Sequence, residues 1–241
     1  MIVPGAMADA EGWLPVPAAL DTEFSVAVVN RRGRAPTDDL PRGSSVADEV
    51  RDVRAVLAEL EGPFVLVGWS YGGLLVLEAA VGLDNIASLI LYEPVCRPFA
   101  RDALAELERF VEADDLDGAV MHVLTKVSGA PADHVTALRD SSAWPYLKRL
   151  VLPAATELSA LNRHQPSFAA YSDRAANVTL LVGGLNKDQE PYGTAVSRFL
   201  AALPDVKEVT LPGQSHLAHV EAPDQLAKVV SAVVAETTRA V

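Results

Sequence analysis

The stretch Phe64-Val65-Leu66-Val67-Gly68-Trp69-Ser70-Tyr71-Gly72-Gly73 decides how this chain is read. Four apolar residues run into a glycine, a serine stands two residues further on, and two glycines follow almost at once. Leu74, Leu75, Leu77, Ala79 and Ala80 then continue as an almost wholly apolar helical stretch. This pattern predicts a buried strand, a sharp turn and a helix that packs under the sheet. In that setting Gly68-x-Ser70-x-Gly72 is the nucleophile-elbow pattern. A tight turn forces the serine into a strained conformation, and the flanking glycines let helix and strand approach without a Cβ between them. The serine is then presented at the C-terminal end of its strand.

Working outward, β-rich runs recur at residues 24–29, 87–91 and 178–182. A strand that is apolar throughout must be covered on both faces, so such strands alternating with helices predict an α/β fold. Its sheet is predominantly parallel and flanked by helices. Val46, Val50, Val53, Val56, Leu57 and Leu60 repeat at helical spacing behind Ser45, with Asp48 placed to complete a capping box. Leu226, Val229, Val230, Val233 and Val234 predict a last helix that closes one face. Residues 98–176 carry helical periods, Pro and Gly breaks and no convincing strand. They predict a helical cap inserted between core segments 1–97 and 177–241, all one folding unit. Trp144, Tyr146 and Phe168 are the cap residues expected to line a substrate pocket.

Composition narrows the classes of function. The 241 residues hold 32 Asp plus Glu against 20 Lys plus Arg, a formal charge of −12. An acidic surface repels phosphate backbones and anionic lipid heads, and the largest basic cluster is Arg31, Arg32 and Arg34. A nucleic-acid or membrane partner is therefore not expected, and a small-molecule substrate is. The lone Cys96 excludes an internal disulfide and any multi-cysteine zinc site. No apolar run reaches the ~18 residues of a membrane span, and the first residues lack the basic start of a signal peptide. A cytoplasmic location is expected, while nothing in the sequence sets an oligomeric state. With neither clustered ligands nor a nucleotide fingerprint, no metal or organic cofactor is expected.

A serine hydroxyl needs a base within reach. His216 lies in Leu211-Pro-Gly-Gln-Ser-His216-Leu217, a turn after the short run 206–211 and before the last helix, which puts it on the same rim as Ser70. His219 stands close enough to compete. His122, His134 and His164 fall in the predicted cap. The base in turn needs a carboxylate to hold its tautomer and stabilise the imidazolium. Two are available: Glu93, directly after the run ending in Tyr92, and Asp188, in the loop Gly183-Gly-Leu-Asn186-Lys-Asp188. A glutamate that ends an apolar strand needs a partner to offset its desolvation.

Elbow, helical insertion and late histidine, in that order, resemble the α/β-hydrolase fold over essentially the whole chain. The resemblance implies a serine hydrolase acting on an ester, lactone or thioester of a small apolar substrate through an acyl-enzyme, with Ser70 as nucleophile and His216 as base. Many members place the acid after the strand that begins here at Val178. A subgroup, several haloalkane dehalogenases among it, uses a glutamate after the preceding strand, and Glu93 matches that arrangement. Asn186 stands where the more usual acid would be, so Glu93 is preferred and Asp188 is the alternative. Dehalogenation does not carry over, because those enzymes need an aspartate where this chain has Ser70. The resemblance also implies an oxyanion hole from the backbone N–H groups of Ala6 and Tyr71, although Pro4 replaces the histidine that members commonly show before the glycine. The chain starts inside that strand, without the two strands many members place before it. Arg32-Gly33-Arg34 is similar to a common signature of the fold whose role is structural. A lyase-like enzyme or a small-molecule receptor on the same scaffold is the competing expectation.

Overall fold

The computed structural model describes residues 1–21, 24–171, 177–203 and 206–239. The chain opens with β1 (Ile2–Val3), α1 (Ala10–Trp13), α2 (Pro15–Ala18) and α3 (Val46–Ala58), then β2 (Phe64–Trp69), α4 (Tyr71–Ala80) and β3 (Ile86–Tyr92). A helical segment follows: α5 (Leu104–Glu112), α6 (Leu116–His122), α7 (Ala132–Arg139), α8 (Trp144–Leu150), α9 (Ala154–Arg163) and α10 (Phe168–Tyr171). Then come β4 (Val178–Gly183), α11 (Tyr192–Ala202), β5 (Lys207–Leu211), α12 (Ala218–Glu221) and α13 (Pro223–Arg239). Residues 172–176 of the predicted cap, and 22–23, 204–205 and 240–241 of the predicted core, lie outside the described residues.

The strands stand in the order β1-β2-β3-β4-β5, and every neighbouring pair is parallel. One row across the sheet joins Val3, Gly68, Leu91, Leu180 and Glu208, so the C-terminal ends of the strands share one rim. Neighbouring residues of a strand face opposite layers. Leu66, Leu89, Leu91 and Leu180 pack with α3, α4 and α11, in an apolar cluster that runs on into the helical segment through Leu107, Val120 and Leu158. Val67, Ile90, Leu181 and Leu211 face Leu226, Ala227, Val230 and Val233 of α13. Two covered faces are the reason these strands read as continuous apolar runs.

The helix predicted behind Ser45 forms as α3, with the reciprocal capping box between Ser45 and Asp48 in place. Residues 24–29 differ from expectation, because they do not form a strand. Val28 makes an isolated bridge to Ile2, through bonds from Ile2 N to Ala27 O at 2.8 Å and from Val29 N to Ile2 O at 2.9 Å. Pairing ends there because β1 itself has only two residues, and Phe24, at 58% exposed, is not covered by a second layer.

Strand and helix close most tightly at the elbow. A Cβ on Gly72 would lie 2.1 Å from Val3 O and 2.6 Å from Pro4 O, both backbone atoms that cannot rotate away. Gly72→Ala should therefore lower stability by about 1–3 kcal/mol or more through forced separation of α4 from β1. Urea unfolding checks this, and an unchanged midpoint would contradict it.

Candidate active site

Ser70 sits at the junction of β2 and α4 with φ 54° and ψ −122°, a region that L-residues seldom occupy. The surroundings hold it there. Its N–H donates to Tyr92 O at 2.9 Å, and its carbonyl accepts from Gly73 N at 2.9 Å and from Val95 N at 3.4 Å. α4, which starts at the next residue, directs the positive end of its dipole at the serine. Gly5 approaches from β1: a Cβ on it would lie 2.8 Å from Ser70 Cβ and 2.7 Å from Trp69 O. The loop that carries Ala6 is thus packed directly on the elbow.

The last side chains of two strands fasten the loop that carries His216. Trp69 Nε1 donates to His216 O at 2.8 Å, and its ring lies 4.6 Å from the imidazole centroid. The Tyr92 hydroxyl donates to Ser215 O and accepts from Ala218 N at 3.3 Å. His216 Nδ1 is then 2.6 Å from Glu93 Oε2, with the Glu93 side chain wholly buried. Glu93 has φ 42°, so the chain turns sharply as it leaves β3. Its Oε1 accepts from Gly183 N at 2.8 Å, and Asn186 Nδ2 donates to Oε1 and Oε2 at 3.1 and 2.9 Å. The carboxylate therefore has donors on both oxygens. Burial holds the His216 imidazole below its ordinary range, with Glu93 pulling it the other way. Among the described residues no hydrogen bond joins Ser70 Oγ to the imidazole.

The structure brings Ser70, His216, Glu93, Ala6 and Tyr71 to one rim and leaves other candidates elsewhere. Asp188 is exposed on its loop at φ 60°, and the Nδ1 that it would have to reach is occupied by Glu93. His219 is buried between Trp13, at 4.6 Å between ring centroids, and Trp69, at 4.4 Å. His122 bonds Ala103 O, His164 bonds Glu78, and His134 is exposed. Trp144 is buried with its Nε1 on Asp117 Oδ1 at 2.6 Å, and Phe168 packs edge-on against Tyr171 and Phe199. Tyr146 reaches the core, where its hydroxyl bonds Asp9 Oδ1 at 2.5 Å. Sequence reasoning missed Tyr192, whose ring stacks on His216 with centroids 3.5 Å apart and planes 11° from parallel. Its position at the first turn of α11, one loop beyond Asn186, was the available signal.

Ser70 and His216 are each only 7% exposed. Two cavities of about 220 and 300 Å³ lie away from them, one against Arg32 and Asp52, the other against Arg54 and His164. Among the described residues no group of three or more His, Cys, Asp or Glu is placed to hold a metal ion, and no helix is long and apolar enough to cross a membrane.

A family model described as the alpha/beta hydrolase family matches residues 1–229. No curated protein matches the chain by sequence. Among solved structures, an alpha/beta hydrolase from Sphaerobacter thermophilus superposes with a TM-score of 0.76 at 24% identity, covering 97% of this chain and 91% of that one. A structure from the carboxylesterases of the thaumarchaeon Nitrososphaera gargenis gives 0.78 at 17% identity, covering 100% and 90%. The enol-lactonase of Burkholderia xenovorans gives 0.73 at 18% identity, covering 97% and 90%. At these identities the likeness is one of fold.

His219 gives the site a measurable acid sensitivity. Burial, helped by the neighbouring His216, pushes its imidazole down to about 3. The unfolded chain binds that proton near pH 6.5 while the folded one refuses it, so stability falls as pH drops through that window, by up to about 1.4 kcal/mol per pH unit. His219→Phe keeps a ring between the two tryptophans and should flatten part of that decline between about pH 6.5 and 4. Urea midpoints against pH check it, and a variant that tracks the wild type would contradict it.

Proposed function

We propose a serine hydrolase function from one premise: the chain belongs to the alpha/beta hydrolase family. The observation that carries the reading is the buried 2.6 Å contact between His216 Nδ1 and Glu93 Oε2, beside a serine on a positive-φ elbow. With Nδ1–H donated to Glu93, the Nε2 lone pair is left free to take a proton. An imidazole held below its ordinary range is neutral at pH 7, the state that a base requires.

The reaction follows from these groups. Ser70 Oγ attacks the carbonyl carbon of an ester, lactone or thioester as its proton passes to His216 Nε2. The negative charge gathers on the former carbonyl oxygen, which the backbone N–H groups of Ala6 and Tyr71 stabilise. Collapse breaks the bond to the leaving group, which takes the proton from His216 and leaves an acyl-Ser70 ester. Water then attacks that ester, with His216 again accepting and returning the proton, and the free acid departs. Glu93 offsets the imidazolium charge at each protonation, and Asn186 holds Glu93 by both oxygens. The near-closed site favours small acyl groups. The helical segment after β3 acts as the cap over it, while Trp144, Tyr146 and Phe168, bonded and packed elsewhere, do not line it. Carboxylesterases and an enol-lactonase share this fold, which supports the ester and lactone classes.

Against a panel of p-nitrophenyl esters, lactones and acyl thioesters, Ser70→Ala should lose roughly 10³-fold or more in kcat with its unfolding midpoint kept. Glu93→Gln should lose up to about 10⁴-fold, and Asp188→Asn less than about fivefold. Wild-type turnover in Ser70→Ala would end the acyl-enzyme reading, and a wild-type protein that binds a ligand without turning it over would favour the receptor. A large loss at Asp188 with little at Glu93 would reverse the assignment of the acid. The acidic limb of kcat/KM should fall below about pH 6.5, because the folded imidazole stays neutral to lower pH than a free one. A limb above that value would contradict the neutral-base reading.

A further inference from the structure

Arg31 and Arg34 are buried beneath the site, with no role in the chemistry above. Arg31 donates from Nε to Pro4 O at 2.8 Å and from Nη2 to Gly5 O at 2.7 Å. Its Nη1 pairs with Glu49 Oε2 at 2.5 Å, and Nη2 also lies 2.7 Å from Glu157 Oε1. Arg34 donates to Ala8 O at 3.0 Å and to Gly5 O at 3.4 Å, and it pairs with the same Glu157 oxygen. The two guanidinium groups thus hold the carbonyls of residues 4, 5 and 8 around Ala6. Arg31 also lies over the ring of Tyr71, 5.1 Å from its centroid. One side chain touches both stretches that would supply the oxyanion donors.

Peptide geometry makes this contact directional. Gly5 C=O and Ala6 N–H belong to one planar trans unit and point to opposite sides of it. Fixing the carbonyl on the arginines turns the N–H away from them. Gly5 itself cannot shift toward the elbow, since its Cα already packs on Ser70 and Trp69. Glu157 belongs to α9 in the helical segment, its Oε2 has no partner among the described residues, and its other oxygen takes both arginines.

Resting on the hydrolase reading, we propose that Arg31 is the positioning residue of the oxyanion hole, and that Glu157 makes its hold depend on the docking of the helical segment. A single guanidinium fork serves four acceptors on three parts of the chain, the loop after β1, α3 and α9, which the point charge of a lysine cannot do. The Ala6 donor is therefore aimed correctly only while α9 is seated against the core. The purpose of a buried arginine pair with two glutamates is then placement of a backbone N–H rather than net stability, for which buried ion pairs are a poor device.

The test is the rate of phosphonylation by a fluorophosphonate probe, whose phosphoryl oxygen gathers charge where the ester oxyanion would. Labelling of wild-type Ser70, mapped by peptide mass, tests the hydrolase reading; a wild type left unlabelled overturns that reading and this inference together. With the wild type labelled, Arg31→Lys and Glu157→Gln should each lower the maximal labelling rate about 10- to 100-fold, part of the 10²–10³ that loss of a whole donor costs. The half-saturating probe concentration should stay within about threefold, since binding before attack does not use the donor. Rates are normalised to the folded fraction, so a merely structural role would lower the unfolding temperature and leave the maximal rate of folded protein unchanged. Should Arg31→Lys not fold, the isosteric Glu157→Gln carries the same comparison. Maximal rates within twofold of wild type in the folded variants would overturn the inference while leaving Ser70 as the nucleophile.

Discussion

The arrangement depends on one buried contact, that of Glu93 with His216. A carboxylate with no solvent exposure at the end of an apolar strand is a severe desolvation penalty unless its oxygens are met by donors. Here the Gly183 N–H, the Asn186 amide and the His216 ring meet them. The donors come from two separate places along the chain, the end of β4 with its loop and the loop after β5, so satisfying one carboxylate draws both loops onto the end of β3. Trp69 and Tyr92 then fix the His216 loop from below, and Tyr192 covers the imidazole face. The electrostatic need of one buried group and the shape of the site are the same fact seen twice.

Much of the fold was legible because its signals are local. The apolar runs that became β2, β3 and β4, the Ser45 capping box and the closely packed helix after Ser70 all follow from spacing and residue type. Residues 24–29 were misread because their β-prone composition says nothing about whether a partner strand is long enough to pair with them. The juxtaposition of Ser70, His216 and Glu93 was legible through chain order along one rim. Asn186 was visible only as a gap where an acid usually stands, and its hydrogen bonds to Glu93 depend on a loop that local pattern does not specify. Tyr192 was missed for the same reason, since stacking on His216 is a contact between residues that share no sequence neighbourhood. The surroundings of Trp144 and Phe168 were likewise invisible, because an aromatic residue reads alike whether it lines a pocket or fills a helical core.

The helical segment also takes on a second character. Its apolar residues continue the main core, and Glu157 carries its charge to the arginines under the elbow. Tyr146 adds a bond to Asp9, the N-cap of α1, a few residues past Gly5. The segment is thereby fastened to the stretch of chain that packs against Ser70. In the proposed account the same element that limits substrate size also keeps the attacked carbonyl's oxygen in register with its donors.

The central claim is a covalent intermediate on Ser70, and rapid-quench mass spectrometry with p-nitrophenyl acetate tests it most directly. Quenching in acid within the first turnovers should show a protein species heavier by one acetyl group, located by peptide mapping at Ser70 and lost as turnover completes. An acetyl group on another residue, or steady release of p-nitrophenol with no acylated protein at any time, would contradict it.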